Sequence, residues 1–178
     1  NSANSIGNVL SAEGDIENRN TSGRTIEKYM LMLQNAFVFY GVGRYDIKGK
    51  QLLKTLGKNY IIDLGFRNML LGYRDADRGH LLENVVFLEL LRRDYRVYIG
   101  KVNETEVDFV AERPNEKIYI QVANSIEEPK TFEREISPLL KIADAYPKLI
   151  ISRTFQEEYQ VEGVKITDIA VIIFSSFF

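Results

Sequence analysis

The chain has 178 residues, of which 45% are hydrophobic, and a formal net charge of −2. This length is enough for one large domain or two small ones with packed cores, and the weak charge argues against a protein that binds nucleic acid through many phosphate contacts. The absence of cysteine and the single histidine exclude a disulfide framework, a thiolate zinc site and a histidine metal cluster.

The first predicted element is a short helix near Ile6–Ala12, followed by turn residues from Gly14 to Asn20. Thr21 or Ser22 can cap a second helix. Its apolar residues recur every three or four positions, which predicts one buried stripe made of Ile26, Tyr29, Met30, Leu33 and Phe37. The chain begins at Asn1 without a methionine, and we therefore expect a trimmed chain or a fragment of a longer protein.

Short strands joined by turns are predicted next, at Phe37–Tyr40, Arg44–Ile47 and Tyr60–Asp63, with Lys48-Gly49-Lys50 as a polar turn. Helices followed by a small hairpin are the order of a winged helix-turn-helix, to which we assign residues 1–66. Its exposed basic residues, which can contact DNA, are Arg24 and Lys28 on the helix and Lys48 and Lys50 on the wing. The alternative is that these charges are only solvated and the module packs against a partner domain.

Residues 67–178 are predicted to form a second domain. A long helix over residues 79–95 carries a broad apolar face, and three strands follow at Arg96–Ile99, Glu106–Ala111 and Lys117–Ala123. A helix from Thr131 to Ala143, kinked at Pro138, leads to a buried strand at Leu149–Ser152. The order helix, three strands, helix, strand predicts an α/β sheet with helices on its faces.

Polar side chains recur where such a fold can gather them. A hairpin through residues 112–116 sets Asp108 on the second strand nearly opposite Gln121 on the third. Period-two alternation then places Glu106 and Asp108 on one face, with Gln121 and Ala123 of the neighbouring strand on the same face and Val107 and Phe109 on the other. Together with Glu83 on the long helix, these oxygens can hold Mg²⁺, which activates water against a phosphodiester.

Three motifs resemble the PD-(D/E)XK nuclease superfamily: Gly79-x-x-x-Glu83-Asn84, Glu106-Val107-Asp108-Phe109-Val110 and Tyr119-Ile120-Gln121-Val122-Ala123. They are more similar still to a domain of unknown function that lies C-terminal to the ATPase module in many prokaryotic AAA-type proteins. The stretches Arg44–Lys50, Lys58–Gly65, Arg134-Glu135 and Tyr146–Lys148 also resemble that family. The resemblance implies a restriction-endonuclease-like domain after the winged helix, and an upstream ATPase module of the same polypeptide as partner.

The third strand departs from the active nuclease pattern. Active members carry an acidic residue and a lysine where this chain has Gln121 and Ala123. An amide oxygen brings no charge to a metal, and alanine offers no cation. We therefore expect Glu83, Asp108 and Gln121 to be a vestigial catalytic set, with Glu83 and Asp108 as metal ligands only if activity persists. Lys101, Lys117 and Lys130 are the candidates for a lysine that enters from elsewhere.

Structural roles explain several of these residues equally well. Asp108 can serve only as a hydrogen-bonding group in the sheet, and Glu83 can pair with Arg78 or Arg134. We expect His80 to be a solvated surface residue. Aromatic residues without a dense basic patch around them are better explained as core or docking surface than as base-stacking platforms: Tyr119, Phe174, Phe177 and Phe178.

The chain lacks a GxxxxGK[ST] phosphate loop, so ATP would bind only in an upstream module, and no cofactor is expected in this chain. The first hypothesis is a non-catalytic module that recognises DNA or a protein partner for an ATPase. The alternatives are a Mg²⁺-dependent DNA nuclease and a protein-interaction or homo-oligomerisation domain. The sequence contains no signal peptide and no apolar run long enough for a membrane span, so we expect a soluble cytoplasmic protein without membrane contact.

Overall fold

The computed structural model describes residues 23–72 and 78–174. These residues form an eight-stranded mixed sheet with five helices. In chain order the elements are α1 (Gly23–Asn35), β1 (Phe39–Asp46), β2 (Gln51–Ile61), α2 (Leu64–Leu71), α3 (Arg78–Arg92), β3 (Arg96–Val102), β4 (Thr105–Arg113), β5 (Glu116–Ala123), α4 (Pro129–Leu140), β6 (Lys148–Ser152), β7 (Tyr159–Val161), β8 (Val164–Asp168) and α5 (Ile169–Phe174). The predicted α/β class is confirmed.

The strand order across the sheet is β2-β1-β3-β4-β5-β6-β8-β7. Strands β3, β4 and β5 form an antiparallel meander, and β6 and β8 continue the sheet in parallel with β5. Helix α3 packs on one face through Val86, Phe87 and Leu90, and α4 packs on the other through Ile136 and Leu139. The predicted helix, three strands, helix and strand are therefore present in that order.

The strands expected as a wing belong to this sheet. β1 and β2 form a hairpin whose turn contains Lys48 and Lys50, and β1 also pairs in parallel with β3, with Arg44 opposite Ile99. The sequence-based division at residue 66 thus separates strands that share one hydrogen-bonded sheet. The helix expected near Ile6–Ala12 and the caps expected at Thr21 or Ser22 lie outside the described residues.

Helix α1 only partly fulfils the prediction of a buried stripe. Ile26 is buried, but Tyr29 is 58% exposed and Phe37, just beyond the helix, is 71% exposed. The periodicity of the sequence therefore marks an apolar face that the described residues leave largely open.

Helix α2 was absent from the sequence prediction. Asp63 is the N-cap of this helix, whereas the sequence predicts it at the end of a strand. Its carboxylate accepts hydrogen bonds from the Gly65 and Phe66 backbone N–H groups. Gly72 at the other end has a φ of 71°, which favours glycine. An aspartate and a glycine that bracket an apolar octapeptide were the local signals for this helix.

Candidate functional site

The candidate site lies where the end of β2 meets the first turns of α3. Asn84, which is buried, makes two hydrogen bonds with the backbone of Ile61. Its amide nitrogen donates to the Ile61 carbonyl at 2.8 Å, and its carbonyl oxygen accepts from the Ile61 N–H at 3.0 Å. The Glu-Asn pair of the sequence motif therefore fixes α3 against β2 and holds Glu83 above that strand.

Glu83 is held by two side chains of β2. Its Oε1 atom accepts a hydrogen bond from the Tyr60 hydroxyl at 2.6 Å and lies 3.0 Å from the Lys58 ammonium nitrogen. The Tyr60 ring stacks on Phe87 of α3 at a centroid distance of 4.3 Å. Burial and the adjacent Glu83 carboxylate raise the pKa of Tyr60, so its hydroxyl stays protonated and donates. Glu83 thus pairs with Lys58, whereas the sequence suggested Arg78 or Arg134 as its partner.

Asp108 and Gln121 come together as the hairpin predicted. The Asp108 N–H donates to Gln121 Oε1 at 3.3 Å, and Asp108 Oδ2 accepts from the Val122 N–H at 2.8 Å. The predicted period-two alternation is wrong at this point, because the β3–β4 register shifts between Tyr98 and Gly100. β4 has one extra residue there, a β-bulge, and it sends Val107 and Phe109 to opposite faces of the sheet.

Glu135 of α4 approaches the site from the other face of the sheet. It is a buried carboxylate that accepts a hydrogen bond from Gln121 Nε2 at 2.9 Å. Arg134, at the surface, donates to the other Glu135 oxygen. Gln121 therefore joins Asp108 to a second buried acid. Glu135 belongs to the Arg134-Glu135 stretch that resembles the AAA-type family, but no sequence pattern marks it as a site residue.

Lys58 is a candidate site residue that the sequence did not indicate. Its ammonium nitrogen lies 2.6 Å from Glu106, 3.0 Å from Glu83 and 3.8 Å from Asp108. Burial lowers the pKa of Lys58, but the three carboxylates outweigh this effect and raise it above its ordinary value, so Lys58 is charged at neutral pH. We call Lys58, Glu83, Glu106 and Asp108 the Lys58 cluster.

Two of the acids in the Lys58 cluster respond differently to their surroundings. Although burial raises it, the pKa of Glu106 is lowered overall by hydrogen bonds from Lys58 and Arg44. Burial and the charge of Glu83 raise the pKa of Asp108 to about 7. The two acids therefore differ at neutral pH, because Glu106 is ionised whereas Asp108 is partly protonated.

The lysines proposed from the sequence lie elsewhere. Lys101 pairs with Glu104, and Lys117 pairs with Glu112 and donates to the Tyr45 hydroxyl. Lys130 is exposed on α4. His80 is 88% exposed in its side chain, with Nδ1 4.0 Å from Glu83, so it lies at the rim as a surface residue.

The other predicted residues have simple positions. Arg24 and Lys28 are exposed on α1, while Lys48 and Lys50 are exposed in the turn between β1 and β2. Tyr119 is buried in the core, and its hydroxyl donates to Asp144. Phe174 is exposed on α5, whereas Phe177 and Phe178 lie outside the described residues.

A groove of about 830 Å³ adjoins the Lys58 cluster. Lys58, Tyr60 and Glu83 form part of its wall. The rest of the wall is mainly apolar and comes from α1, the start of β1, α2 and the start of α3, including Met30, Leu33, Phe39, Leu64, Phe66, Leu70, Leu71 and Leu81. Leu70 and the adjacent Met69 are 62% and 72% exposed, so this side of the described structure presents an open apolar surface.

The side chains do not fit a divalent metal ion as they stand. A magnesium ion bridging Glu83 and Asp108 would need both oxygens at about 2.1 Å, in the region that the Lys58 ammonium group occupies. The Gln121 amide is engaged by Asp108 and Glu135. Within residues 23–72 and 78–174, no three His, Cys, Asp or Glu side chains converge in a metal-binding arrangement.

The fold and site together describe a mixed α/β protein with a lysine-centred carboxylate cluster. The chain is 42% identical over 146 residues to an uncharacterized protein of Haemophilus influenzae, and 32% identical over 123 residues to an uncharacterized protein of Methanocaldococcus jannaschii. These matches cover 82% and 67% of the chain but 36% and 26% of the relatives, so the chain spans about a third of their length or less.

No protein-family model and no solved structure matches the chain. None of the helices in the described ranges is long and apolar enough to cross a membrane.

Proposed function

We propose that this chain is a non-catalytic recognition module of a prokaryotic AAA-type ATPase, with a restriction-endonuclease-like fold whose nuclease activity has been lost. The observation that carries the proposal is the position of the Lys58 ammonium group, 3.0 Å from Glu83 and 3.8 Å from Asp108. These are the carboxylates expected to hold a metal, and the chain's own cation already lies between them.

The order α3, β3, β4, β5, α4, β6 supports the nuclease-like part of the fold, since it is the element order that the superfamily resemblance implies. The winged-helix part has less support, because the β1–β2 hairpin that would serve as its wing belongs, through the pairing of β1 with β3, to the central sheet. The preference for recognition over catalysis comes from the site chemistry, because a fold alone does not specify an activity.

The proposed partner is the ATPase module of the same, longer polypeptide. Two observations support a protein partner. The groove wall contains exposed apolar residues such as Leu70, which have more to gain from burial against protein than against nucleic acid. The relatives also extend well beyond the matched region, which covers only 36% and 26% of their length. ATP would be bound there, and the setting that we propose is the cytoplasm.

Docking can be tested with the unmatched part of the Haemophilus influenzae relative, expressed separately and titrated against this chain by calorimetry. Leu70→Glu should weaken binding at least tenfold, whereas Leu52→Glu, a similarly exposed leucine of β2 outside the groove wall, should not. Equal affinities for the two variants would refute docking through the groove. Light scattering of the free chain distinguishes self-association, since a dimer dispersed by Leu70→Glu would identify a second copy as the occupant.

Recognition of DNA would instead depend on the exposed basic residues Arg24, Lys28, Lys48 and Lys50. Anisotropy across a salt series measures this directly, because phosphate contacts lose affinity as salt rises. A salt-dependent signal that Lys48→Glu with Lys50→Glu abolishes would establish DNA as the partner. The same profile before and after substitution would exclude these lysines as DNA contacts.

A metal-dependent DNA nuclease is the second candidate, favoured by a specific observation. Lys58 brings the cation that the third strand lacks, and Glu135 brings a buried acid beside Gln121. Mg²⁺ or Mn²⁺ would be its cofactor. Single-stranded, duplex and branched DNA should therefore be incubated with both ions. We expect no cleavage above that of Asp108→Ala; cleavage that this substitution removes would overturn the non-catalytic proposal.

A further inference from the structure

The backbone geometry of β2 determines where Lys58 lies in the cluster. Between β1 and β2 the register jumps from the pair Val42 and Lys58 to the pair Arg44 and Leu53, so β2 bulges over residues 54–57. Gly57 ends this bulge, and a Cβ atom there would lie 1.8 Å from the Val42 carbonyl oxygen. Only glycine permits this close approach, which fixes where the strand resumes and where the Lys58 side chain starts.

The cluster then surrounds the ammonium group with acceptors. Glu83 lies on α3, whereas Glu106 and Asp108 lie on β4, so Lys58 joins three elements that are distant in sequence. Its side chain is about one quarter exposed, and those of Glu83 and Asp108 are 13% exposed. Removing the lysine charge alone therefore leaves two poorly solvated carboxylates without their cation.

We infer that Lys58 is an internal cation that takes the place of a divalent metal ion between Glu83 and Asp108, and that removing its ammonium group opens a divalent-cation site there. The inference concerns the cluster itself and does not depend on which partner the surface recognises. A divalent ion bound to both carboxylates would lie within a few ångströms of Nζ, where two cations repel each other strongly in a poorly solvated setting. Lysine and metal therefore exclude each other.

The affinity of the full chain for Mn²⁺ tests whether lysine and metal exclude each other. It can be measured by electron paramagnetic resonance, which detects the free ion. Lys58→Met keeps an unbranched side chain that lacks only the terminal ammonium group, and Lys54→Met is the matched control on an exposed position of the same strand. We expect Lys58→Met to bind Mn²⁺ at least tenfold more tightly than the wild type or Lys54→Met. Adding Asp108→Asn to Lys58→Met should abolish that gain.

Thermal unfolding with and without Mn²⁺ gives an independent readout, since an ion that binds only the folded state raises the melting temperature. Mn²⁺ should raise the melting temperature of Lys58→Met and leave that of the wild type unchanged. If Lys58→Met does not fold, Lys58→Gln takes its place, because glutamine can still donate a hydrogen bond to Glu83.

Two results would overturn the inference. In the first, the wild type binds Mn²⁺ as tightly as the lysine variants do, and Asp108→Asn abolishes this binding. That result would show that metal and lysine coexist, and it would support the nuclease candidate as well. Failure of both folded lysine variants to gain affinity would refute the inference alone, leaving the recognition proposal to its own docking test.

Discussion

The pKa of Asp108 leads to a quantitative prediction about stability and pH. Burial and the charge of Glu83 raise this pKa from 3.8 to about 7. The folded chain therefore holds the Asp108 proton more tightly than the unfolded chain, and the resulting stabilisation is fully present below about pH 4 and lost as pH rises through 7. A rise of about three pKa units corresponds to roughly 4 kcal/mol, of which roughly 2 to 3 kcal/mol falls between pH 5 and pH 8.

Asp108→Asn should remove this pH dependence. Asparagine keeps an oxygen that can accept from the Val122 N–H group, as Asp108 Oδ2 does, but it cannot ionise. Its advantage over the wild type should therefore grow with pH and be largest at pH 8. Conversely, at pH 5, where wild-type Asp108 is mostly protonated, the two proteins should differ least.

Urea unfolding followed by circular dichroism at several pH values between 5 and 8 measures the effect, since the chain has no tryptophan for fluorescence. Glu104→Gln is the control, because the Glu104 side chain is 96% exposed and its substitution should leave the wild-type slope intact. Parallel profiles for wild type and Asp108→Asn would refute the argument, since Asp108 would then titrate alike in the folded and unfolded chain.

Two further substitutions probe how the site is held. Asn84→Ala removes both hydrogen bonds to the half-buried end of β2 and should lower the free energy of unfolding by about 2 kcal/mol, whereas Asn68→Ala on α2 should cost less than half of that in the same urea experiment. Tyr60→Phe keeps the ring that stacks on Phe87 but removes the donor to Glu83, so urea unfolding at pH 7 should show a loss of about 1 to 2 kcal/mol; an unchanged midpoint would show that this hydrogen bond adds no net stability.

Local patterns predicted much of the fold. The long apolar periodicity gave α3, alternating residues gave β3 to β5, and the buried run after Pro147 gave β6. The final hairpin was missed, although Glu162 and Gly163 both have positive φ angles and form the two-residue turn between β7 and β8. The signal was a single glycine between short strands, and a three-residue strand such as β7 offers too little alternation to recognise.

The contact between Asp108 and Gln121 was predictable because a short turn joins the two strands that carry them. Asp108 and Gln121 are thirteen residues apart, and the hairpin through Asn115 brings them together. The assignment of faces failed because a bulge of one residue reverses the alternation, and no residue type marks a bulge unambiguously. The pairing of Asp108 with Gln121 was thus predictable, whereas the faces of their neighbours were not.

Lys58 was not predictable because its position depends on the least local pairing in the sheet. It reaches Asp108 only because β1 lies parallel to β3 and so brings the β1–β2 hairpin beside the meander. A wing in a separate domain would keep Lys58 away from Asp108, so the sequence favours lysines nearer to Asp108 along the chain, such as Lys101 and Lys117. The motif on β5, with Gln121 and Ala123, fits two kinds of site equally well. One is a catalytic site that has lost its lysine, and the other is a buried acidic site that holds a lysine from elsewhere in the chain. What distinguishes them is whether a metal ion can share the space around Glu83 with the Lys58 ammonium group, and that depends on strand order, which the motif does not encode.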